Sequence, residues 1–176
     1  MVLPTGHSAI AVGSDPSGVL SAVSMYDRVQ REWARAKAEL QVEIAAVTGD
    51  RRQALIEKLE LMENTDMAVV ISPSHNEIAE MDAKGVDIRP HRERMVREDL
   101  ATKFKDPDDP LRLVFVCAMW LTGFDAPATS TIYLDKPMRN HTLMQTIARA
   151  NRVSQEKQAG EISDYSGGGR NLKDRV

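Results

Sequence analysis

The chain has 176 residues, 42% of them hydrophobic and 28% charged, which suits roughly one globular domain and excludes wholesale disorder. Its net charge of −3 excludes binding of nucleic acid or membrane by bulk electrostatics, so any DNA contact needs a local patch. The single cysteine, Cys117, excludes a disulfide framework within the chain, and no apolar run approaches the roughly 18 residues of a membrane-spanning helix.

Met1 to Pro16 lacks the basic start and apolar centre of a signal peptide, which leads us to expect a reduced, soluble, cytoplasmic protein. Ser8 to Gly13 (SAIAVG) is a short, weak strand candidate, and Asp15-Pro-Ser-Gly is turn chemistry. Gly13 and Gly18 have phosphate-loop separation, but Val19 stands where the lysine belongs, so the chain does not cradle nucleotide phosphates itself. From about Leu20, Val29, Trp33, Ala36, Leu40, Ile44 and Val47 recur every three or four residues, the stripe of an amphipathic helix. Gly49-Asp50 breaks it. A second helix over Arg51 to Glu63 carries Leu55, Leu59 and Met62 on one face, so the pair reads as an antiparallel helical hairpin inserted at about 27–63.

Met67 to Ser72 (MAVVIS) fits a strand buried on both faces. Ser74 to Lys84 reads as a short helix stopped by Gly85. Val86 to His91 reads as loop, because Pro90 biases Arg89 away from helix. Glu93 to Phe104 reads as one helix with Val96, Leu100 and Phe104 on a shared side, ended by Lys105-Asp-Pro-Asp-Asp-Pro. Leu111 to Cys117 (LRLVFVC) is the strongest strand, and its position predicts a buried, unreactive Cys117 thiol. Thr131 to Asp135 is a further strand, Asn140 to Val153 a helix, and Glu161 to Tyr165 a polar last strand. Gly167 to Gly169 implies a flexible end over 166–176. The alternation of strands and helices predicts a single α/β domain with an open, mostly parallel sheet flanked by helices.

Ligands of such sheets gather beyond the carboxyl ends of the strands. After Cys117, Thr122 offers a hydroxyl, Gly123 permits close backbone approach, and Asp125 offers a carboxylate; a plain turn capped by Asp125 is the alternative. Gln145, Arg149 and Arg152 share one face of the 140–153 helix, opposite Leu143, Ile147 and Ala150. That face is either solvated or an arginine finger that reaches a γ-phosphate held by another domain. Lys136, Arg139 and His141 suit either DNA phosphate or a solvated loop. His7, His75, His91 and His141 show no metal-ligand spacing, and no serine sits in a nucleophile elbow.

Arg92 to Val153 resembles the motor (R) subunit of type I restriction enzymes, a group of superfamily 2 DNA translocases. TGFDAP at 122–127 is similar to their helicase motif V, and QTIARANR at 145–152 to their motif VI. Ser24 to Val29 (SMYDRV) and Asp66 to Ser72 (DMAVVIS) extend the likeness upstream. The resemblance implies the second RecA-like motor domain. It assigns Arg149 and Arg152 to catalysis at the γ-phosphate and Gln145, Gly123 and Asp125 to ATP. It brings Thr122 to DNA, and we expect Lys136 and Arg139, which follow the strand ending in Asp135, to join it there. ATP and Mg2+ would be held mainly by the first motor domain. The implied partners are double-stranded DNA, the first motor and nuclease domains of the same subunit, and the methylation and specificity subunits, with no membrane. Without Walker A or nuclease motifs, the isolated chain is expected to be inactive. The alternatives are a motor domain of another superfamily 2 helicase or a non-catalytic subunit-docking module. The first 20 residues match the family poorly, and the 161–165 strand is more polar than its pattern.

Overall fold

The computed structural model describes residues 8–12, 19–117, 129–134 and 161–164. Five strands form one sheet: β1 (Ser8–Val12), β2 (Asp66–Val70), β3 (Leu111–Val116), β4 (Thr129–Leu134) and β5 (Glu161–Asp164). Their order is β2-β3-β1-β4-β5, and every pairing is parallel. The domain is α/β and RecA-like, as the sequence leads one to expect. The weak first strand turns out to be the centre of the sheet: Val12 pairs with Val116 on one side and Leu134 on the other.

Strand alternation splits the core in two. Ala9, Ala11, Met67, Val69, Leu113 and Phe115 face one side. Ile10, Val12, Ala68, Val70, Val114, Val116 and Ile132 face the other. Both sides are apolar because both faces are covered, which is why these strands read as continuous hydrophobic runs.

The first face is covered by α1 (Val19–Ala46) and α2 (Gly49–Glu63), which cross over β3 to reach β2. Trp33 and Leu40 bury along α1, and Met62 buries on α2. The Trp33 indole donates to the Met62 carbonyl at 3.0 Å, tying the two helices with a satisfied buried donor. Gly49, at φ 67, supplies the left-handed turn between them.

Two sequence expectations need correction. Arg89 is not loop: α4 runs Arg89–Arg97, with Pro90 in its first turn. A proline there costs no hydrogen bond, since the first N–H groups of a helix lack partners anyway. Nor is Glu93 to Phe104 one helix. α4 stops at Arg97, Glu98 is extended, and α5 spans Leu100–Lys105. Asp99 starts α5 as its N-cap, accepting from the Thr102 N–H at 3.0 Å and from the Thr102 hydroxyl at 2.7 Å. The break separates residues that one helix would have aligned: Leu100 and Phe104 bury under the second face, while Val96 stays 87% exposed. The preceding α3 (Glu77–Ala83) anchors Met81 in the first core and ends before Gly85, at φ 73.

Candidate functional site

The carboxyl ends of β3, β1 and β4 stand side by side, with Val116, Val12 and Leu134 in register. Neighbouring strands lie about 4.8 Å apart, so the ends of β3 and β4 are roughly 10 Å apart across β1. The two segments singled out in the sequence follow these ends. Thr122, Gly123 and Asp125 come after Cys117; Lys136, Arg139, Gln145, Arg149 and Arg152 come after Leu134. All eight lie outside the described residues, as do His7 and His141.

The described part of this sheet end is built around a cluster that the sequence reading passed over. β2 is one of the two edge strands of the described sheet. The Cys117 N–H donates to the Val70 carbonyl at 3.4 Å, so the backbone groups of Val70 point to β3, and those of Met67, Val69 and Ile71 point to the open edge while their side chains stay in the core. An open edge exposes unpaired backbone groups. Two arginines of α4 occupy it. At the carboxyl end, Arg92 donates to the Ile71 carbonyl at 2.8 Å and the Ser72 carbonyl at 2.6 Å, and pairs with Glu77. Those two side chains are 17% and 13% exposed, so the pair is largely withdrawn from water. Glu77 also accepts from the Ser74 N–H at 3.0 Å, which fixes the loop after β2. Ser72 in turn touches Cys117: its N–H donates to the thiol sulfur at 3.4 Å, and its hydroxyl lies 3.4 Å from the same atom.

At the amino end of β2, Arg94 donates to the Met67 carbonyl at 2.9 Å and pairs with Asp66 and with Glu98. Asp66 accepts from the Met67 N–H at 2.7 Å. Hydrogen bonding to Asp66 raises the Arg94 pKa further above its ordinary value, against a smaller opposing effect of burial. Lys103 donates to Glu98 at 2.8 Å and is the main cause of that carboxylate's lowered pKa. The missed signal was available: two arginines two residues apart, and acids flanking an apolar strand run. A charge run normally reads as a solvated face.

Cys117 is buried, as its strand position predicts. His91 is half-buried, its ring packed edge-on to Tyr26 at 5.0 Å, and Tyr26 packs edge-on to Phe115 at 5.6 Å. Burial lowers the His91 pKa. His75 is exposed in the loop after β2. Among the described residues, no three His, Cys, Asp or Glu side chains gather to hold a metal ion. No helix among them is long and apolar enough to cross a membrane.

Comparison with known proteins assigns the chain. The model of type I restriction enzyme subunit R domain 3 matches residues 8–167. A putative type I restriction enzyme MjaIXP endonuclease subunit of Methanocaldococcus jannaschii is 52% identical over 82 residues, which is 46% of this chain and 8% of that protein. The type I restriction enzyme HindI endonuclease subunit of Haemophilus influenzae is 54% identical over 80 residues, 44% of this chain and 8% of that subunit. A further M. jannaschii relative, the putative MjaVIIIP endonuclease subunit, is 32% identical over 116 residues, 64% of this chain and 11% of its own length. The chain thus matches only a small part of each relative's length. Because the family model runs from the first residue of β1 to beyond the last of β5, the chain belongs to the type I restriction enzyme subunit R domain 3 family.

Proposed function

We propose that this chain is the second motor domain of a type I restriction enzyme R subunit and supplies half of a composite ATP site that drives translocation along double-stranded DNA. The observation that carries the reading is the alignment of strand ends: the TGFDAP segment and the QTIARANR segment follow strands that flank β1 at the ligand-binding end of a parallel sheet. The chain lacks a phosphate loop, so the nucleotide is held mainly by the first motor domain of the same subunit, together with Mg2+. Among the described residues, no three His, Cys, Asp or Glu side chains gather to hold that ion.

ATP in the cleft draws the two motor domains together. Arg149 and Arg152 then lie at the γ-phosphate, where a guanidinium fork offsets charge on the transferring oxygens. Gln145, Gly123 and Asp125 contact nucleotide. Thr122, Lys136 and Arg139 grip the DNA backbone, which carries no sequence information. Hydrolysis reopens the cleft and shifts the grip. The methylation and specificity subunits of the complex choose the site, and the nuclease domain of the same subunit cuts.

The purified chain, shown to be folded by circular dichroism, is expected to hydrolyse no ATP with or without double-stranded DNA. DNA-stimulated turnover above background would contradict the composite site. A docking role is favoured by one specific observation, the exposure of Val42 (72%) on the hairpin. V42D in the full subunit, which charges this exposed position and leaves the core face of the hairpin intact, separates the readings. Lost assembly with intact ATP turnover supports docking alone.

A further inference from the structure

We propose that Arg92 is a positioning residue, acting through Ser72 and Cys117 on the segment that bears Thr122, Gly123 and Asp125; the inference rests on the function proposed above. The chain of contacts is continuous. Glu77 and Arg92 form a largely buried pair, and the Arg92 guanidinium grips the first two carbonyls beyond β2, those of Ile71 and Ser72. Ser72 then meets the Cys117 sulfur through both its N–H and its hydroxyl. Cys117 immediately precedes the 118–128 segment in the chain, and its own N–H is held by Val70. The root of that segment is therefore clamped on its β2 side by polar contacts, not by apolar packing alone.

Arginine suits this role and lysine does not. A planar fork reaches two carbonyls and a carboxylate together, whereas an ammonium is a point charge on a flexible stem. Sulfur is a weak acceptor, so the Ser72–Cys117 contact positions more than it stabilises. An edge strand lacks a second neighbour, so beyond the ladder to β3, which ends at Val70, Arg92 supplies the contacts that hold Ile71 and Ser72. Catalytic geometry is sensitive to small displacements introduced far from the chemistry.

Steady-state ATP turnover of the assembled full-length subunit with double-stranded DNA tests this, using C117V, C117S, S72A and R92K. C117V keeps apolar volume but removes the acceptor. C117S keeps the acceptor but loses volume and apolarity. The positioning role predicts that C117V lowers kcat about ten-fold with KM for ATP within about two-fold, because the nucleotide is held by the other domain. It predicts that C117S stays within about two-fold of wild type, and that S72A and R92K lose roughly three-fold. A packing role predicts the reverse order, C117S slower than C117V; that result, or full rates for C117V, S72A and R92K, overturns the inference. S72A, which removes only a half-buried hydroxyl, keeps the test decisive should C117V fail to fold. R152A serves as the separate control. If the wild-type subunit shows no DNA-stimulated turnover, or R152A matches it, the functional reading fails. If R152A is inactive and C117V runs at full rate, only the positioning role fails.

Discussion

The two ends of β2 use the same residue type from the same helix to different ends. Arg94, at the amino end, satisfies the Met67 carbonyl and joins Asp66, Glu98 and Lys103 in a network that leads to no segment implicated in chemistry. Arg92, at the carboxyl end, satisfies Ile71 and Ser72 and reaches Cys117 through one further residue. In a parallel sheet the carboxyl end faces ligand and the amino end does not. On the proposed reading, identical chemistry secures the fold at one end and positions a site at the other. Exposure differs as well: the Arg92–Glu77 pair is 17% and 13% exposed, the Arg94–Asp66 pair 26% and 34%.

The difference is open to measurement by urea unfolding of the purified chain. R92A leaves Glu77 buried without its partner and should cost about 3 kcal/mol, the low end for a broken buried pair. R94A should cost less, about 2 kcal/mol, because water screens its more exposed partners. Equal or inverted costs would break the comparison. In the full-length subunit, R94A should keep DNA-stimulated ATP turnover at any temperature where the protein is folded, and R92A should not. Asp99→Ala removes the cap that separates α5 from α4 and so sets where α4 ends. It should lower the urea midpoint by less than R94A does.

The smallest effect concerns His91, which immediately precedes Arg92 in sequence and packs on Tyr26. Burial lowers its pKa below the ordinary 6.5; Asp27 and Asp87 pull it upward, and Arg94 pushes it down. As pH falls from about 6.5 toward the lowered value, the unfolded chain takes up the proton first, so stability declines. Above 6.5 the contribution is fully present. H91F should flatten the stability profile across that window, read from urea midpoints at stepped pH. An unchanged slope would assign it to other groups.

Much of the fold was legible because the strands are buried on two faces and read as unbroken apolar runs: Met67 to Ile71 and Leu111 to Val116 needed no tertiary information. The hairpin was legible for the complementary reason, a clean stripe through Trp33 and Leu40. The α4–α5 boundary was not, since Val96, Leu100 and Phe104 keep helical spacing across a break that only the Asp99–Thr102 cap enforces. Pro90 misled because the rule for the preceding residue competes with proline's fitness for a first helical turn. The arginines of α4 were passed over because their partners, Asp66 and Glu77, are distant in sequence and meet them only through the fold. The residues assigned to ATP and DNA come from motif likeness, apart from Lys136 and Arg139, which come from their place after a strand, and they follow strand ends that the sheet order aligns.

The central claim is that this chain contributes arginines to an ATP site whose phosphate loop lies elsewhere in the subunit. The most direct measurement is DNA-stimulated ATP turnover and nucleotide binding by the full-length subunit carrying Arg152→Ala. The account predicts turnover reduced to background, by about 10³-fold or more, with nucleotide affinity largely kept. Turnover retained near the wild-type rate would contradict it.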